Sequence, residues 1–318
     1  MTLPTVHVLY ENPDWMPPLR RGLEAEGFDY REVELESGLL AGQPEPGIYL
    51  NRISPSSHTR GHDRSVPLAR EVLAWLESHG RRVVNGLRAF ELEMSKFRQY
   101  RALRRHGIRT PRTVLAVGAD EMVEAAETVD GPFITKHNRG GKGLGIERFD
   151  DAGELADRLD REPFDAGPDE QVLIQEYVDP PEPHITRVEL VGGEMVLAMR
   201  SSTEEGLELC PSDACQAQQA GASSADEVDT GEKFAPAPLS ADDPLVAQYR
   251  SFCAEEGIEV AGIEFVEDAD GRRYTYDVNG TTNYNEALGE QIGVDGILEV
   301  ARYLKNVVAP EVEGPSSG

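Results

Sequence analysis

The sequence predicts an α/β fold in three parts, the middle one an α+β unit, and three observations support this prediction. Strand-like and helix-like segments alternate over residues 1–90. A glycine-rich basic loop joins two strand-like segments within residues 91–175, and two hairpin-like segments and two closing helices occupy residues 176–310. Alternating strands and helices indicate a parallel sheet, whereas hairpins indicate antiparallel pairing. We therefore expect a parallel-sheet N-terminal domain followed by two α+β units.

In the N-terminal domain, the apolar run VHVLY predicts the first strand, and YREVEL, GIYLNRI and RRVVNG predict three more. Helices are expected over residues 17–27 and from about residue 66 to 79. Ligands of open parallel sheets bind beyond the carboxyl ends of the strands. The loop NRISPSSHTRGHDR is therefore a candidate substrate loop, and its Arg52, Ser56, His58 and Arg60 suit a carboxylate. The alternative is a structural loop that carries basic residues at the surface.

In the middle unit, apolar residues recur with helical period along ELEMSKFRQYRALRRHG, which predicts one helix. The strand TVLAV and the helix DEMVEAAETV follow, and later the helix DAGELADRLD and the strand QVLIQEYV. These elements surround the glycine-rich loop and make it a flap on an α+β unit.

The glycine-rich loop lies in FITKHNRGGKGLGIERF, residues 133–149. Glycines let backbone N–H groups approach an anion closely, and Lys136, Arg139 and Lys142 add positive charge. The spacing fits neither a P-loop nor a dinucleotide-binding fingerprint. The loop is either a phosphate clamp or a mobile hairpin tip.

In the C-terminal part, HITRVELVGGEMVLAMR and EVAGIEFVEDADGRRYTYDVNG predict hairpins, and ADDPLVAQYRSFCAEEG predicts a helix. Residues 201–240 read as a polar loop. If the second hairpin turns between Ala269 and Asp270, Glu264 lies opposite Thr275 and diagonal to Asp277. Asn279 then shares their face, and oxygen ligands of this kind suit magnesium. The alternative is an acidic sheet surface that faces solvent.

Composition restricts the classes of function. The net charge of -27 disfavours nucleic acid and anionic membranes as partners. No stretch approaches a membrane span and the first residues lack the pattern of a leader, so we expect a cytoplasmic protein. The three cysteines, Cys210, Cys215 and Cys253, argue against a disulfide framework, and their spacing fits a zinc site poorly.

The order of these features resembles the ATP-grasp superfamily, and within it the RimK-like and glutathione-synthetase-like branch. Lys96 lies on a predicted helix, and Lys136 follows it on the strand that leads into the flap. After the flap come, in this order, the run QEYV, Arg187, Glu264 and the D-x-N motif. The resemblance covers about residues 91–308. It implies a cleft between the two α+β units that binds ATP and two Mg2+ ions. Mn2+ can take the place of these Mg2+ ions.

The resemblance also implies roles for individual residues. Nucleotide contacts would come from Lys96, Lys136, Arg139, Gly140, Gly141, Lys142, Gly143, Gly145, Glu176, Tyr177 and Val178. The metal ligands would be Glu264, Asp277 and Asn279. Arg187 would face the acyl-phosphate end. Asn283 and Asn285 are candidates for the amine side of the substrate site.

Two departures from the family pattern stand in the sequence. The aspartate of the family's D-I-R run is missing from H-I-T-R, residues 184–187. The F-R-x-N run that contacts the triphosphate is replaced by GLELCPSDACQ. The candidates to compensate for the missing arginine of this run are Arg200, Lys142 and Lys233. Arg200 is also a candidate catalytic residue.

The implied activity is that of an ATP-dependent carboxylate–amine ligase that acts through an acyl phosphate on amino acids or short peptides. Two alternatives stay open: an ATP-binding sensor or scaffold without catalysis, and a kinase. The sequence does not identify the substrates or the oligomeric state, although dimers and tetramers are common in such families.

Overall fold

The computed structural model describes residues 3–141, 143, 145–204 and 233–308. Lys142 and the segment that contains Cys210 and Cys215 lie outside the described residues. None of the described helices is both long enough and apolar enough to cross a membrane.

The N-terminal part is a parallel sheet, as the alternation of strands and helices predicts. Its order is β2-β1-β3-β4, and every neighbouring pair is parallel. The strands are β1 (Val6–Tyr10), β2 (Tyr30–Glu34), β3 (Ile48–Arg52) and β4 (Arg82–Val84), and the helices between them are α1 (Met16–Ala25) and α2 (Ser65–Ser78). The loops after β1 and β3 therefore emerge at the same edge of the sheet.

The middle part is an antiparallel sheet of order β5-β8-β6-β7. Its strands are β5 (Thr113–Ala116), β6 (Phe133–His137), β7 (Glu147–Phe149) and β8 (Val172–Glu176). The helices of this region are α3 (Leu87–Glu93), α4 (Lys96–Arg105), α5 (Ala119–Glu127) and α6 (Ala152–Arg161). The flap joins β6 to β7.

The prediction of one helix over ELEMSKFRQYRALRRHG is wrong, because the chain forms two. Helix α3 ends at Glu93, and α4 begins at Lys96 after an extended Ser95. The Ser95 hydroxyl accepts a hydrogen bond from the N–H of Arg98 at 3.3 Å, which caps the second helix. The break places Lys96 at the first turn of α4.

The C-terminal part is an antiparallel sheet of order β11-β10-β9-β12-β13. Its strands are β9 (His184–Val191), β10 (Glu194–Ser202), β11 (Phe234–Pro236), β12 (Val260–Glu267) and β13 (Arg273–Asn279). The helices are α7 (Pro244–Glu256), α8 (Glu286–Ile292) and α9 (Gly296–Val308).

The predicted register of the β12–β13 hairpin is wrong. Glu264 lies directly opposite Asp277, while Phe265 lies opposite Thr275, so Tyr276 is an extra residue on β13. A bulge of this kind shifts pairing by one residue and cannot be read from the turn alone. As a result, Glu264 and Asp277 are closer neighbours than the diagonal pair that the sequence suggested.

The N-terminal and C-terminal parts share one hydrophobic core. Val8 of β1, Leu19 of α1, Leu197 of β10 and Leu304 of α9 belong to the same buried cluster. Helix α9 contacts α1 closely: a Cβ at Gly22 would lie 3.1 Å from Ile297 Cγ2. This packing fixes the loops after β1 and β3 against the C-terminal sheet.

Candidate active site

The largest concentration of predicted site residues lies around one cavity. Its walls come from all three parts of the protein: helix α4, β6 and the flap, the end of β8, the C-terminal sheet and the loops after β1 and β3. The predicted residues that line it are Lys96, Lys136, Gly140, Gly141, Gly143, Glu176, Tyr177, Val178, Arg187, Glu264, Asp277, Asn279, Ser56 and Asn283.

Two lysines face the acidic hairpin inside the cavity. The Lys96 ammonium forms an ion pair with Asp277 Oδ1. Lys136, on β6, places its Nζ over the rings of Tyr100 and Tyr276, 5.2 and 5.5 Å from their centroids. Burial, together with repulsion by Lys96, lowers the pKa of Lys136 to about 7. This amine can therefore be neutral near physiological pH and regain its charge beside an anion.

The two carboxylates opposite these lysines have different environments. Burial raises the pKa of Glu264, and the charge of Asp277 adds to this, although the Arg187 guanidinium opposes it. Burial also acts to raise the pKa of Asp277, but the charges of Lys96 and Lys136 outweigh it and leave that pKa lowered. The two buried acids therefore repel each other and are held in place by fixed cations.

The oxygen atoms of this face fit a hard divalent cation. Glu264 and Asp277 are directly opposite each other, and Asn279 projects from the same face two residues further along β13. A divalent cation would offset both the burial and the repulsion by Asp277 that raise the pKa of Glu264. No group of three or more His, Cys, Asp and Glu side chains suited to a metal occurs in the described part of the chain. The set is therefore two carboxylates and an amide, which suits an ion that shares its shell with water and phosphate.

Arg187 is held rigidly beside Glu264. Its Nε donates to Glu189 Oε1 at 2.6 Å, and its Nη1 donates to Glu264 Oε1 at 2.6 Å. Its Nη2 donates to Thr282 Oγ1 at 2.7 Å. A Cβ at Gly262 would lie 2.1 Å from Nη2, so only glycine leaves space for the guanidinium there. Arg187 thus fixes Glu264 and presents positive charge to the cavity.

The segment after β8 forms the opposite end of the cavity. The backbone N–H of Glu176 donates to Arg112 O at 2.8 Å, and that of Tyr177 donates to Pro132 O at 3.0 Å. These two N–H groups are therefore occupied and not free to bind a base. The prediction of base contacts here rests on their carbonyl groups and on the N–H of Val178.

Of the predicted flap residues, Gly140, Gly141 and Gly143 line the cavity, whereas Arg139 and Gly145 are engaged elsewhere. The Arg139 guanidinium pairs with the carboxylate of Asp169 at 2.9 Å. A Cβ at Gly145 would lie 2.3 Å from His137 Nε2. The glycine thus permits close packing of the flap on that imidazole.

Arg200 is not brought to the cavity, which corrects its place among the catalytic candidates. On β10 it lies opposite Thr186, while Met199 lies opposite Arg187. Side chains alternate between the faces of a sheet, so Arg200 and Arg187 project to opposite sides. Arg200 instead lines a separate depression with His184.

Three of the four remaining predicted substrate residues, Arg52, Arg60 and Asn285, have structural partners. Arg60 forms an ion pair with Glu11 and donates to Ser56 Oγ at 3.1 Å. Asn285 Oδ1 accepts from the N–H of Leu288 at 2.7 Å and caps α8. His58 is half-buried, and burial, followed by the charge of Arg139, lowers its pKa. Arg52 is buried below the cavity wall and donates to Thr282 O and Asn283 Oδ1.

Sequence reasoning missed several residues of the cavity wall, among them Trp15 and His137. Trp15 ends a short 3-10 turn that follows β1. It therefore emerges at the same sheet edge as the loop after β3, and the rule that drew attention to that loop could have found it. His137 follows Lys136 directly and carried no separate signal.

Comparisons with known proteins identify similar sequences and a matching family model. The family model of the RimK-like ATP-grasp domain matches residues 94–208. Beta-citrylglutamate synthase B of Danio rerio is 31% identical over 138 residues, 42% of this chain and 33% of that protein. The D-alanine–D-alanine ligase of Chromohalobacter salexigens is 29% identical over 190 residues, 59% of this chain and 54% of that protein. The match thus spans about a third to a half of these curated relatives.

Solved structures extend the similarity to nearly the whole chain. A RimK domain ATP-grasp protein from Sphaerobacter thermophilus superposes with a TM-score of 0.67 at 17% identity, covering 94% of this chain and 98% of that one. The ATP-grasp ligase PsnB, in a complex with Mg and ADP, superposes with a TM-score of 0.64 at 18% identity, covering 96% and 99%. At such identities the similarity is one of fold.

Proposed function

We propose that this protein, which has the ATP-grasp fold and carries a RimK-like ATP-grasp domain, is an ATP- and Mg2+-dependent ligase that joins a carboxylate to an amine. One observation carries the proposal: Lys96 and Lys136 meet Glu264 and Asp277 across a single cavity that Arg187 also lines. Opposed cations and paired acids of this kind suit a triphosphate with its bound metal. The ligase names of the relatives in both sequence and structure support the reaction type.

The reaction would run in two displacements. A carboxylate oxygen of the substrate forms a bond to the γ-phosphorus of ATP while the bond to the β-phosphate oxygen breaks, giving an acyl phosphate and ADP. The amine nitrogen then bonds to the acyl carbon, phosphate leaves, and the nitrogen loses a proton. Both steps need charge neutralisation and alignment of the reacting atoms more than proton transfer.

The residues of the cavity supply that neutralisation. Lys96 and Lys136 would bind the phosphates, and Arg187 would stabilise the charge at the acyl-phosphate end. Mg2+ held by Glu264, Asp277 and Asn279 would neutralise the phosphate oxygens. With phosphate present, we expect the Lys96 ammonium to turn from Asp277 to the nucleotide, which frees the carboxylate for the cation.

The three parts of the chain would have separate roles in binding ATP and substrate. Residues 91–175 and 176–310 would enclose ATP between them, and residues 1–90 would supply the substrate end through the loops after β1 and β3. The flap lies close to Ser56, since a Cβ at Gly141 would be 3.4 Å from Ser56 Cβ. It would exclude water from the acyl phosphate. The names of the curated relatives suggest citrate, glutamate and D-alanine as acids to test beside amino acids and short peptides.

The test uses a nucleophile that replaces the unknown amine. The protein is incubated with ATP, Mg2+, hydroxylamine and a panel of acids: the common L-amino acids, D-alanine, citrate and dipeptides. A ligase should release phosphate and form the hydroxamate of one acid in equal amounts. A stable phosphorylated product without hydroxamate would indicate a kinase, and nucleotide binding without turnover would indicate a sensor.

Variants test the assignment of the site. Lys136→Ala and Asp277→Ala should abolish turnover and leave the protein folded. Lys305→Ala is the matched control, because Lys305 lies on α9 and pairs with Glu26 at the surface. Wild-type turnover in either cavity variant would remove the assignment.

A further inference from the structure

A buried arginine lies at the proposed substrate end of the cavity. Arg52, the last residue of β3, is 4% exposed. Its Nη1 donates to Thr282 O at 2.6 Å, and its Nη2 donates to Asn283 Oδ1 at 2.5 Å. In the part of the chain that the structure describes, its partners are these neutral oxygens and no carboxylate. A buried cation normally has a direct anionic partner. The carboxylates of Glu11, Glu93 and Glu189 instead act on Arg52 only through their charge, without a direct hydrogen bond to it.

Arg52 also determines which way the amide of Asn283 points. A guanidinium only donates hydrogen bonds, so the group that faces it must be the amide oxygen. The amide nitrogen of Asn283 is therefore turned away from Arg52. Because Asn283 lines the cavity, it offers the cavity a donor whose orientation is fixed and whose dipole the guanidinium strengthens.

Unpartnered donors also occur close to the cavity, on the segments that follow β1 and β3. Trp15 Nε1 and Arg60 Nε are buried and have no hydrogen-bond partner among the described residues. The Arg60 guanidinium stacks over the Trp15 ring at 4.7 Å and donates to Ser56 Oγ at 3.1 Å. Trp15 and Ser56 both line the cavity. Groups that can only donate call for a ligand rich in acceptor oxygens.

We propose that Trp15, Ser56 and Asn283 form a subsite for a carboxylate group of the substrate, in which Asn283 is the specificity-determining donor. Arg52 is then a positioning residue that acts through Asn283 and does not contact the substrate. This assignment rests on the proposed ligase function and specifies its substrate end.

The same arginine connects the subsite to the reaction centre. Arg52 fixes the backbone of Thr282, and the Thr282 hydroxyl contacts both Arg187 and Glu189 at 2.7 and 2.8 Å. A carboxylate held by Asn283 would therefore be in register with the arginine proposed for the acyl-phosphate end. The link joins β3 of the N-terminal domain to β9 of the C-terminal sheet.

The test measures binding and does not depend on turnover. Citrate, L-glutamate and D-alanine are titrated calorimetrically into the protein with ADP and Mg2+ present. Asn283→Asp replaces the donor with a negative charge, so it should weaken binding of the acid that wild type binds by at least about tenfold, with ADP affinity within about twofold. Asn306→Asp, the same change at an exposed site on α9, should leave acid binding unchanged.

A double-variant comparison tests the positioning role. If Arg52 acts through Asn283, Arg52→Lys should weaken acid binding in wild type and have no further effect in Asn283→Ala. Additive losses would mean that Arg52 contacts the acid itself, and unchanged binding by Asn283→Asp would overturn the subsite. Failure of every acid to bind wild type would overturn it too. Acid binding without hydroxamate formation would instead refute the ligase and leave the subsite standing.

Discussion

The lowered pKa of Lys136 predicts that nucleotide binding takes up a proton at alkaline pH. Burial and the charge of Lys96 lower this pKa to about 7 in the free protein. Phosphate beside the amine favours its charged form and raises the pKa again. Above pH 7, therefore, a nucleotide binds mainly to a neutral lysine that must first be protonated.

The size of the effect follows from this pKa. At pH 8 about 90% of the Lys136 side chains are neutral in the free protein, and at pH 6 about 10% are. Binding should take up about 0.9 proton at pH 8 and about 0.1 proton at pH 6. Each pH unit above 7 should cost about 1.4 kcal/mol, or about tenfold in affinity.

Calorimetry can measure this uptake directly. ADP with Mg2+ is titrated at pH 6 and pH 8 in pairs of buffers with different heats of ionisation, and the slope of the observed heat against the buffer heat gives the number of protons. Lys136→Arg is the control, because arginine keeps its charge throughout this range and should take up no proton there. Equal proton counts for wild type and Lys136→Arg at pH 8 would refute the reasoning.

Three further predictions concern the same cavity. Asp277→Asn removes the negative charge that pairs with Lys96 and that would bind the metal ion, so it should reduce Mg2+-dependent ADP affinity at least about tenfold in calorimetry; unchanged affinity would contradict the metal assignment. Gly262→Ala places a methyl group 2.1 Å from Arg187 Nη2 and so displaces the guanidinium. Hydroxamate formation should fall by more than about tenfold, while ADP affinity is nearly retained. Turnover equal to that of wild type would show that this position of the guanidinium is not required. Lys136 titrates near 10.5 when unfolded and about 7 when folded, so the unfolded state binds more protons between these values and stability rises with pH. From pH 7 to 9 the free energy of unfolding of wild type should rise by about 2 kcal/mol relative to Lys136→Met in urea denaturation, and parallel curves for the two proteins would contradict this.

Much of the fold could be predicted because the signals are local. The parallel N-terminal sheet follows from the alternation of strands and helices, and the Gly192-Gly193 turn of the β9–β10 hairpin follows from glycine's tolerance of positive φ. The break at Ser95 was missed because the apolar period continues across it, and only the capping hydrogen bond shows where the first helix ends.

The chemistry of the cavity could also be predicted, but its geometry could not. The sequence identified the lysines, the flap glycines and the acids of the second hairpin as one set. The structure brings Lys96, Lys136, three of the flap glycines and both acids to one cavity. The sequence did not show that Glu264 is paired directly with Asp277, because the bulge at Tyr276 changes the register. It also did not show that Arg200 projects to the other face of its sheet, which depends on the pairing of β10 with β9.

The sequence by itself determined most of the elements, their order, and which residue types are available for binding phosphate and a cation. Only the tertiary structure decided the partners of those residues. Arg52 and Asn283 are 231 positions apart and meet through one hydrogen bond, and Lys96 and Asp277 are 181 positions apart and form an ion pair. Contacts at such separations depend on how the three parts pack together, so residue patterns along the chain do not predict them. Helices, strands and turns depend on neighbouring residues, so the same patterns do predict them.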